Sequence, residues 1–544
     1  MKKILLIFPF ITSLLAGNYL NAQETVGLLK HESELLQDGF TLFSPLGNSL
    51  VYLVDNCGNL INEWTFNGAP RAIPYLLENG NLLRSGSEGI EIRDWNNSVV
   101  WSYDLTTQLN LRQHHDIEPM PNGNILAIIR EFISTEEQIA LGKNPILATN
   151  ELKSEKIIEF KPIGTSEIEI IWEWRFADHL IQDYDDTKSN YGDVANHPEL
   201  IDFNYEDYNM VHADWIHMNG IDYNSDLDQI IMSSKSLGEI YIIDHSTTTE
   251  EASSHLEGNY NKGGDFLWRW GNPEVYRQGT EDDRKLFEQH DPKWITKGYI
   301  NESKITVFNN DIGATQTYSS INIITPVPIA SGYEISDNMF IPADFFWSWN
   351  GEVINEIVFE PTRSGVIALP NGNMLFCESS KGRVTEVSPE GNILWIYRNP
   401  STSTGIIDQF SSEDEIINQN NKLFRSEKYP SNYSGFIGKD LSSRSIIENV
   451  NSISNTCSSG LSLIKSELNM DVILINNPIL NAEIEFNKPL ISANVYIYTL
   501  NGNIIFERTS FNGKKLQLPK ISSGIYILRL ENKNNNHNIK FVKR

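Results

Sequence analysis

Short stretches of alternating apolar and polar residues, broken by turn residues, run through most of the chain. "LENGNLL" (77–83), "MPNGNIL" (120–126) and "LPNGNML" (369–375) each place Asn-Gly between apolar runs. Both turn positions can then take positive φ, so each reads as a two-residue β-hairpin. A second element recurs beside it, a strand carrying tryptophan after a turn. It occurs at Trp64, Trp101, Trp172 and Trp174, Trp268 and Trp270, Trp347 and Trp349, and Trp395. About six such units follow one another at uneven spacing, with no helical periodicity sustained over more than a few turns. Short strands with recurring tryptophan and glycine predict an all-β fold built as a β-propeller, whose ring leaves few sheet edges exposed. A β-sandwich array or a β-solenoid is the alternative reading of the same pattern. The segment 175–208 breaks the rhythm. It is rich in Asp, Asn and Tyr and predicts a loop with short helices on one face.

The two ends differ from this middle. Residues 1–22 carry two lysines, an apolar stretch and a small residue before Gln23. They predict a secretory signal peptide cut after Ala22, its apolar core being too short to span a membrane. No later segment reaches that length, so the mature protein is expected to have no transmembrane segment. Ser and Asn dominate near 446–471, which predicts a linker. Alternation then resumes, with another "NGN" turn, and predicts a small C-terminal β-sandwich over 472–544. The propeller is accordingly assigned to 23–445.

Composition narrows the function. With 544 residues, 40% hydrophobic and 21% charged, the chain can bury large cores. A net charge of −28 disfavours nucleic acid and acidic membrane surfaces as partners. An anionic substrate would need a locally positive pocket. Of Cys57, Cys377 and Cys457, two could pair in an exported protein, and no pair stands out. The sequence is compatible with a homodimer and does not fix the oligomeric state.

Candidate chemistry rests on three histidines far apart in sequence: His115 in "QHHD", His217 in "DWIHMN" and His290 in "FEQHD". On different blades of a ring they would meet at its central channel. Adjacent strand residues face opposite ways, so Asp116 and Asp291 need not touch the neighbouring imidazoles and could anchor backbone instead. The same alternation lets only one of His114 and His115 point inward, and His115 is preferred. His179 and His212 read as structural. No HExxH or paired-cysteine pattern supports a metal, and no GxSxG elbow supports a serine hydrolase. A neutral imidazole, with a reference pKa near 6.5, can attack a phosphoryl-like or sulfuryl centre.

These motifs carry a resemblance. "QHHDIEPMPNGNIL", "DWIHMNGIDYNSDLDQIIMSSKSLGEIYIIDH", "GGDFLWRWGNP" and "LFEQHDPKWI", with "ESSKGRVTEVSPEGNILWIYRNP" later, resemble the bacterial aryl-sulfate sulfotransferases that do not use activated nucleotide sulfate. The resemblance spans about residues 30–440. It implies a six-bladed propeller and a ping-pong transfer from a phenolic sulfate ester to a phenol, through a sulfohistidine at His290. His217 and His115 match the other active-site histidines, and Asn219 the asparagine that positions the sulfuryl group. Lys235 stands in "SSK" where the family has arginine, so charge is kept but the planar fork is lost. Arg383, in "KGR", is a candidate substrate-binding residue. No cofactor and no metal is implied. Residues 472–544, with "VYIYTLNGNII", "LPKISSGIYILRL" and "KFVKR", resemble the sorting domain of the type IX secretion system. That implies passage through the periplasm and outer membrane, with the secretion machinery as a partner. The competing functions are a non-catalytic surface propeller that binds aryl or sulfated ligands, and a sulfatase-like hydrolase.

Overall fold

The computed structural model describes residues 25–205, 213–310, 317–449, 457, 479, 482–499, 504–532 and 535–543. The signal peptide expected at 1–22 and most of the linker expected at 446–471 lie outside these residues. The chain divides into two compact units, Met1–Cys457 and Ser458–Arg544.

Among its described residues the first unit holds six larger antiparallel sheets that follow one another along the chain. Their innermost strands are β1 (Pro70–Leu76), β2 (Arg112–Pro119), β3 (Met218–Asn224), β4 (His290–Trp294), β5 (Gly365–Ala368) and β6 (Leu423–Pro430). Each touches the next, and β6 returns to β1, so the contacts close a cycle. Closure uses both ends of the unit. β6 pairs with Gly39–Pro45 near the N-terminus, and Gly27–His31 pairs with Ile393–Arg398 of the preceding sheet. The expectation of an all-β propeller holds.

The recurring tryptophans explain how the sheets are joined. The indole N–H of Trp64 donates to the Asp94 carbonyl of the next sheet at 2.9 Å, and Trp101 does the same to Glu167 at 3.0 Å. Trp174 donates to Gly264 at 2.7 Å, Trp268 to Ile341 at 3.0 Å and Trp349 to Gly391 at 3.2 Å. Trp395 closes the circle onto Asn56 at 2.8 Å. A buried indole supplies apolar area and also needs one acceptor, so a tryptophan at each outer strand welds one sheet to its successor. Alternation fades where a strand packs on both faces. Gln229–Ser234 and Glu239–Asp244 are buried at every position, as expected for strands inside a layered ring.

The insertion at 175–208 holds two short 3-10 turns, Phe176–Asp178 and Val194–Asn196, and a two-strand ladder pairing Leu180–Ile181 with Ile201–Asp202. Cys57 and Cys457 form a disulfide, and Cys377 is buried and free. The bond closes a loop of 400 residues. Reduction is therefore expected to lower stability by about 2–5 kcal/mol. Calorimetric unfolding with and without reductant checks this, and an unchanged midpoint would contradict it. Among the described residues no helix is long and apolar enough to cross a membrane.

The second unit is one antiparallel sheet of β7 (Glu483–Thr499), β8 (Ile504–Gln517), β9 (Gly524–Asn532) and β10 (Asn535–Lys543), in the order β8-β7-β9-β10. Register shifts along the β7–β8 ladder bend the long β7. Ile484, Phe486, Val495, Ile497, Leu516 and Leu528 fill its core. Where a small C-terminal β-sandwich was expected, the described residues form this one bent four-stranded sheet.

Candidate active site

Three successive inner strands carry the histidines, and each is irregular at that point. The β2 ladder jumps between Gln113 and Ile117, so His115 sits in a bulge with φ 50°. The β3 ladder skips Asn219, and His217 just before it has φ 49°. The β4 ladder jumps between His290 and Lys293, with Asp291 at φ 59°. Left-handed φ is uncommon for residues other than glycine, and bulges re-aim side chains that a regular strand would hold flat. The strain is concentrated where the imidazoles turn towards one another.

His115 Nε2 lies 3.2 Å from His217 Nε2. His217 Nδ1 donates to Asp214 at 2.7 Å, which fixes its ring and leaves Nε2 facing His115. Burial works against the Asp214 charge. The His217 hydrogen bond and the nearby Arg130 and His114 nevertheless bring its pKa down to about 2. His114 is tied at both nitrogens: Nδ1 meets Glu155, and Nε2 accepts from Arg130 Nη2 at 2.6 Å. His114, His115 and His217 bring nitrogens within 4.8 Å of one another, a spacing a metal could use. Both His114 nitrogens are already engaged, so that set is one ligand short.

His290 is 4% exposed. Its Nδ1 donates to Asn310 Oδ1 at 2.7 Å and lies 3.0 Å from the Glu288 carbonyl. This assigns the proton to Nδ1 and the lone pair to Nε2. Burial, partly offset by the Asn310 bond, combines with the charges of Arg425 and Lys235 to lower its pKa to about 3. Burial and the neighbouring histidines likewise hold His115 well below the usual imidazole range. His290 is thus neutral at working pH. The unfolded chain takes up this proton near pH 6.5. Burying His290 therefore costs stability as pH falls from 6.5 towards 3. An NMR titration of this ring is expected to show no protonation down to pH 5. A midpoint near 6.5 would contradict the burial.

Lys235 Nζ lies 3.3 Å from Glu288 Oε2, beside the His290 strand. Asn219 is fully buried, and its amide donates to the Gln289 carbonyl at 2.7 Å. It therefore fixes the backbone just before His290, while its Oδ1 is buried without a hydrogen-bond partner among the described residues. Arg383 is not brought to the histidines. Its guanidinium donates to Glu378 at 2.5 and 2.6 Å, in a buried pair two strands out from β5. His179 is buried between Asp265 at 2.8 Å and the Ala252 carbonyl at 2.9 Å. His212 lies outside the described residues.

The sequence reading missed Arg425. This fully buried residue of β6 reaches Asp116 at 2.6 Å and also bonds Asp291. The acids that follow His115 and His290 are thus clamped by one guanidinium. Asp116 also accepts from the Ile117 and Ile221 N–H groups at 3.1 and 3.3 Å, which ties β2 to β3. Arg425 sits in "LFRSEKYP" with no motif around it, and only ring closure brings it between the two aspartates. Asp214 and Asn310 were missed too, although Asp214 stands three residues before His217 in a motif already singled out.

No curated protein matches the chain. Among solved structures, a protein of unknown function from Bacteroides caccae is 10% identical with a TM-score of 0.35, covering 66% of this chain and 93% of that one. A streptogramin B lyase is 13% identical with a TM-score of 0.32, covering 75% and 96%. The Cps50 (Swd1) β-propeller domain of Myceliophteria thermophila is 8% identical with a TM-score of 0.35, covering 70% and 89%. Residues 477–544 match the secretion system C-terminal sorting domain, which marks the protein as secreted or cell-surface, exported through the outer membrane. Residues 25–324, more than half of the chain, match the model for arylsulfotransferase (ASST), and the chain belongs to that family.

Proposed function

We propose that the protein moves a sulfuryl group from a phenolic sulfate ester to a phenolic acceptor by a ping-pong mechanism through His290. The observation that carries this reading is the state of His290: buried, neutral, with its proton held on Nδ1 by Asn310 at 2.7 Å. Nε2 attacks sulfur. The ester S–O bond breaks as the N–S bond forms, and the Nδ1 proton stays on the ring. Sulfuryl transfer, like phosphoryl transfer, needs little bonding at its centre, so positioning and charge dominate. Lys235 supplies a point charge to the sulfuryl oxygens. The departing phenolate accepts a hydrogen bond from the His115–His217 pair, which Asp214 backs, and takes its proton from solvent. An incoming phenol gives up its proton to solvent and takes the sulfuryl group, restoring His290.

A chromogenic phenyl sulfate, assayed with and without added phenol, tests the reading. Phenol-dependent release is expected. Phenol-independent release would make the protein a hydrolase, and binding without turnover would make it a binding module. Intact mass after brief exposure to donor is expected to rise by one sulfuryl group on a peptide containing His290.

A further inference from the structure

We infer that Arg363 is a catalytic residue of this site, its guanidinium binding the sulfuryl oxygens on His290 Nε2. The inference rests on the sulfuryl-transfer reading above. It starts from a closed triangle of hydrogen bonds. His290 Nδ1 donates to Asn310 Oδ1 at 2.7 Å, and Asn310 Nδ2 donates to the Arg363 carbonyl at 2.8 Å. The Arg363 backbone N–H then meets His290 Nε2 at 3.2 Å. One asparagine thus sets both the nucleophile's tautomer and the position of Arg363 against the reacting nitrogen. Two consecutive left-handed residues, Arg363 at φ 62° and Ser364 at φ 74°, hold the turn there. Such conformations persist in non-glycine residues only where surrounding contacts enforce them.

Arg363 is half-buried, and among the described residues its guanidinium has no ion pair or hydrogen bond. The nearby cations differ. Arg425 is held by Asp116 and Asp291, and Lys235 faces Glu288. The closest acid in sequence, Glu360, is taken up by Ser380, through its hydroxyl at 2.7 Å and its N–H at 3.0 Å. An arginine side chain reaches about 6 Å from its Cα, enough to lay its planar fork on oxygens attached to Nε2. The Arg363 N–H, now on the lone pair, would pass to a sulfuryl oxygen once the N–S bond forms. Arg363 therefore supplies from β5's approach the guanidinium that position 235 lacks.

The test uses the full chain, phenyl sulfate and phenol. Arg363→Ala is expected to lower kcat/KM at least 100-fold with the thermal midpoint unchanged. Arg363→Lys should fall between it and the wild type. Adding Lys235→Arg to Arg363→Ala should recover at least tenfold, since it returns a fork from the other side of the sulfur. If Arg363→Ala does not fold, Arg363→Gln keeps the bulk and reads the same loss. Activity of the alanine or glutamine variant within threefold of wild type overturns the inference and leaves the transfer reading standing. No turnover by the wild type overturns both.

Discussion

Replacing His290 with alanine is expected to abolish sulfuryl transfer, by about 10⁵–10⁶-fold, the scale seen when a covalent nucleophile is deleted. Such a large effect follows because no neighbour can substitute. His114 is tied at both nitrogens, and His115 and His217 face each other across 3.2 Å. Neither of those two has the Asn310 anchor that holds the His290 proton on Nδ1 and keeps the lone pair on Nε2. The loss should fall on the first half-reaction, so no burst of phenol and no sulfuryl-bearing peptide should appear. The variant should still bind the donor, because the cations around the site remain. It should also gain acid stability, since it no longer buries an imidazole with a pKa near 3. Residual turnover within tenfold of wild type would rule out His290 as nucleophile.

Replacing Arg425 with methionine should cost stability on the order of 3–5 kcal/mol. The substitution keeps the apolar stem but leaves Asp116 and Asp291, both buried, without their cation. Removing one partner of a buried ionic cluster is far more costly than removing a surface pair, because the remaining charges cannot reach water. Asp116 retains its backbone N–H bonds and the Tyr75 hydroxyl at 3.3 Å, so the damage should centre on Asp291 and the β4 bulge. Activity should fall with stability, since both acids directly follow a histidine of the site. Denaturant unfolding measures the first effect and phenyl sulfate turnover the second. A loss below about 1 kcal/mol would mean that the two aspartates find other partners.

Much of this was legible in the sequence, and the reasons are local. A tryptophan near the end of a strand and an Asn-Gly turn act within a few residues, so the blade repeat shows without tertiary information. The three histidine motifs were legible as chemistry because each gathers histidine, acid and amide in one short stretch. Strand alternation suggested that His115 and Asp116, and His290 and Asp291, face apart, yet both pairs sit at bulges. The rule failed at His114, whose ring joins the cluster 4.0 Å from that of His115. Arg425 is what the two acids face. Arg383 shows the limit of this kind of reading. An arginine in a promising motif is spent on Glu378, a pairing that depends on the register between two strands. Asn219 shows another limit, since only the fold reveals that its Nδ2 is held by the Gln289 carbonyl.

The chain's own order of residues determined an all-β fold with recurring tryptophan strands, an export tail and three histidine motifs like those of the arylsulfotransferase family. Only the folded ring decided which nitrogen of His290 holds the proton, which cysteines pair, and that Arg425 and Arg363 stand at the site. Those decisions depend on contacts between separate strands and loops, from 20 residues apart for His290 and Asn310 to 400 for the two cysteines, and on bulges that override strand alternation. Neither leaves a signature in any short stretch of sequence.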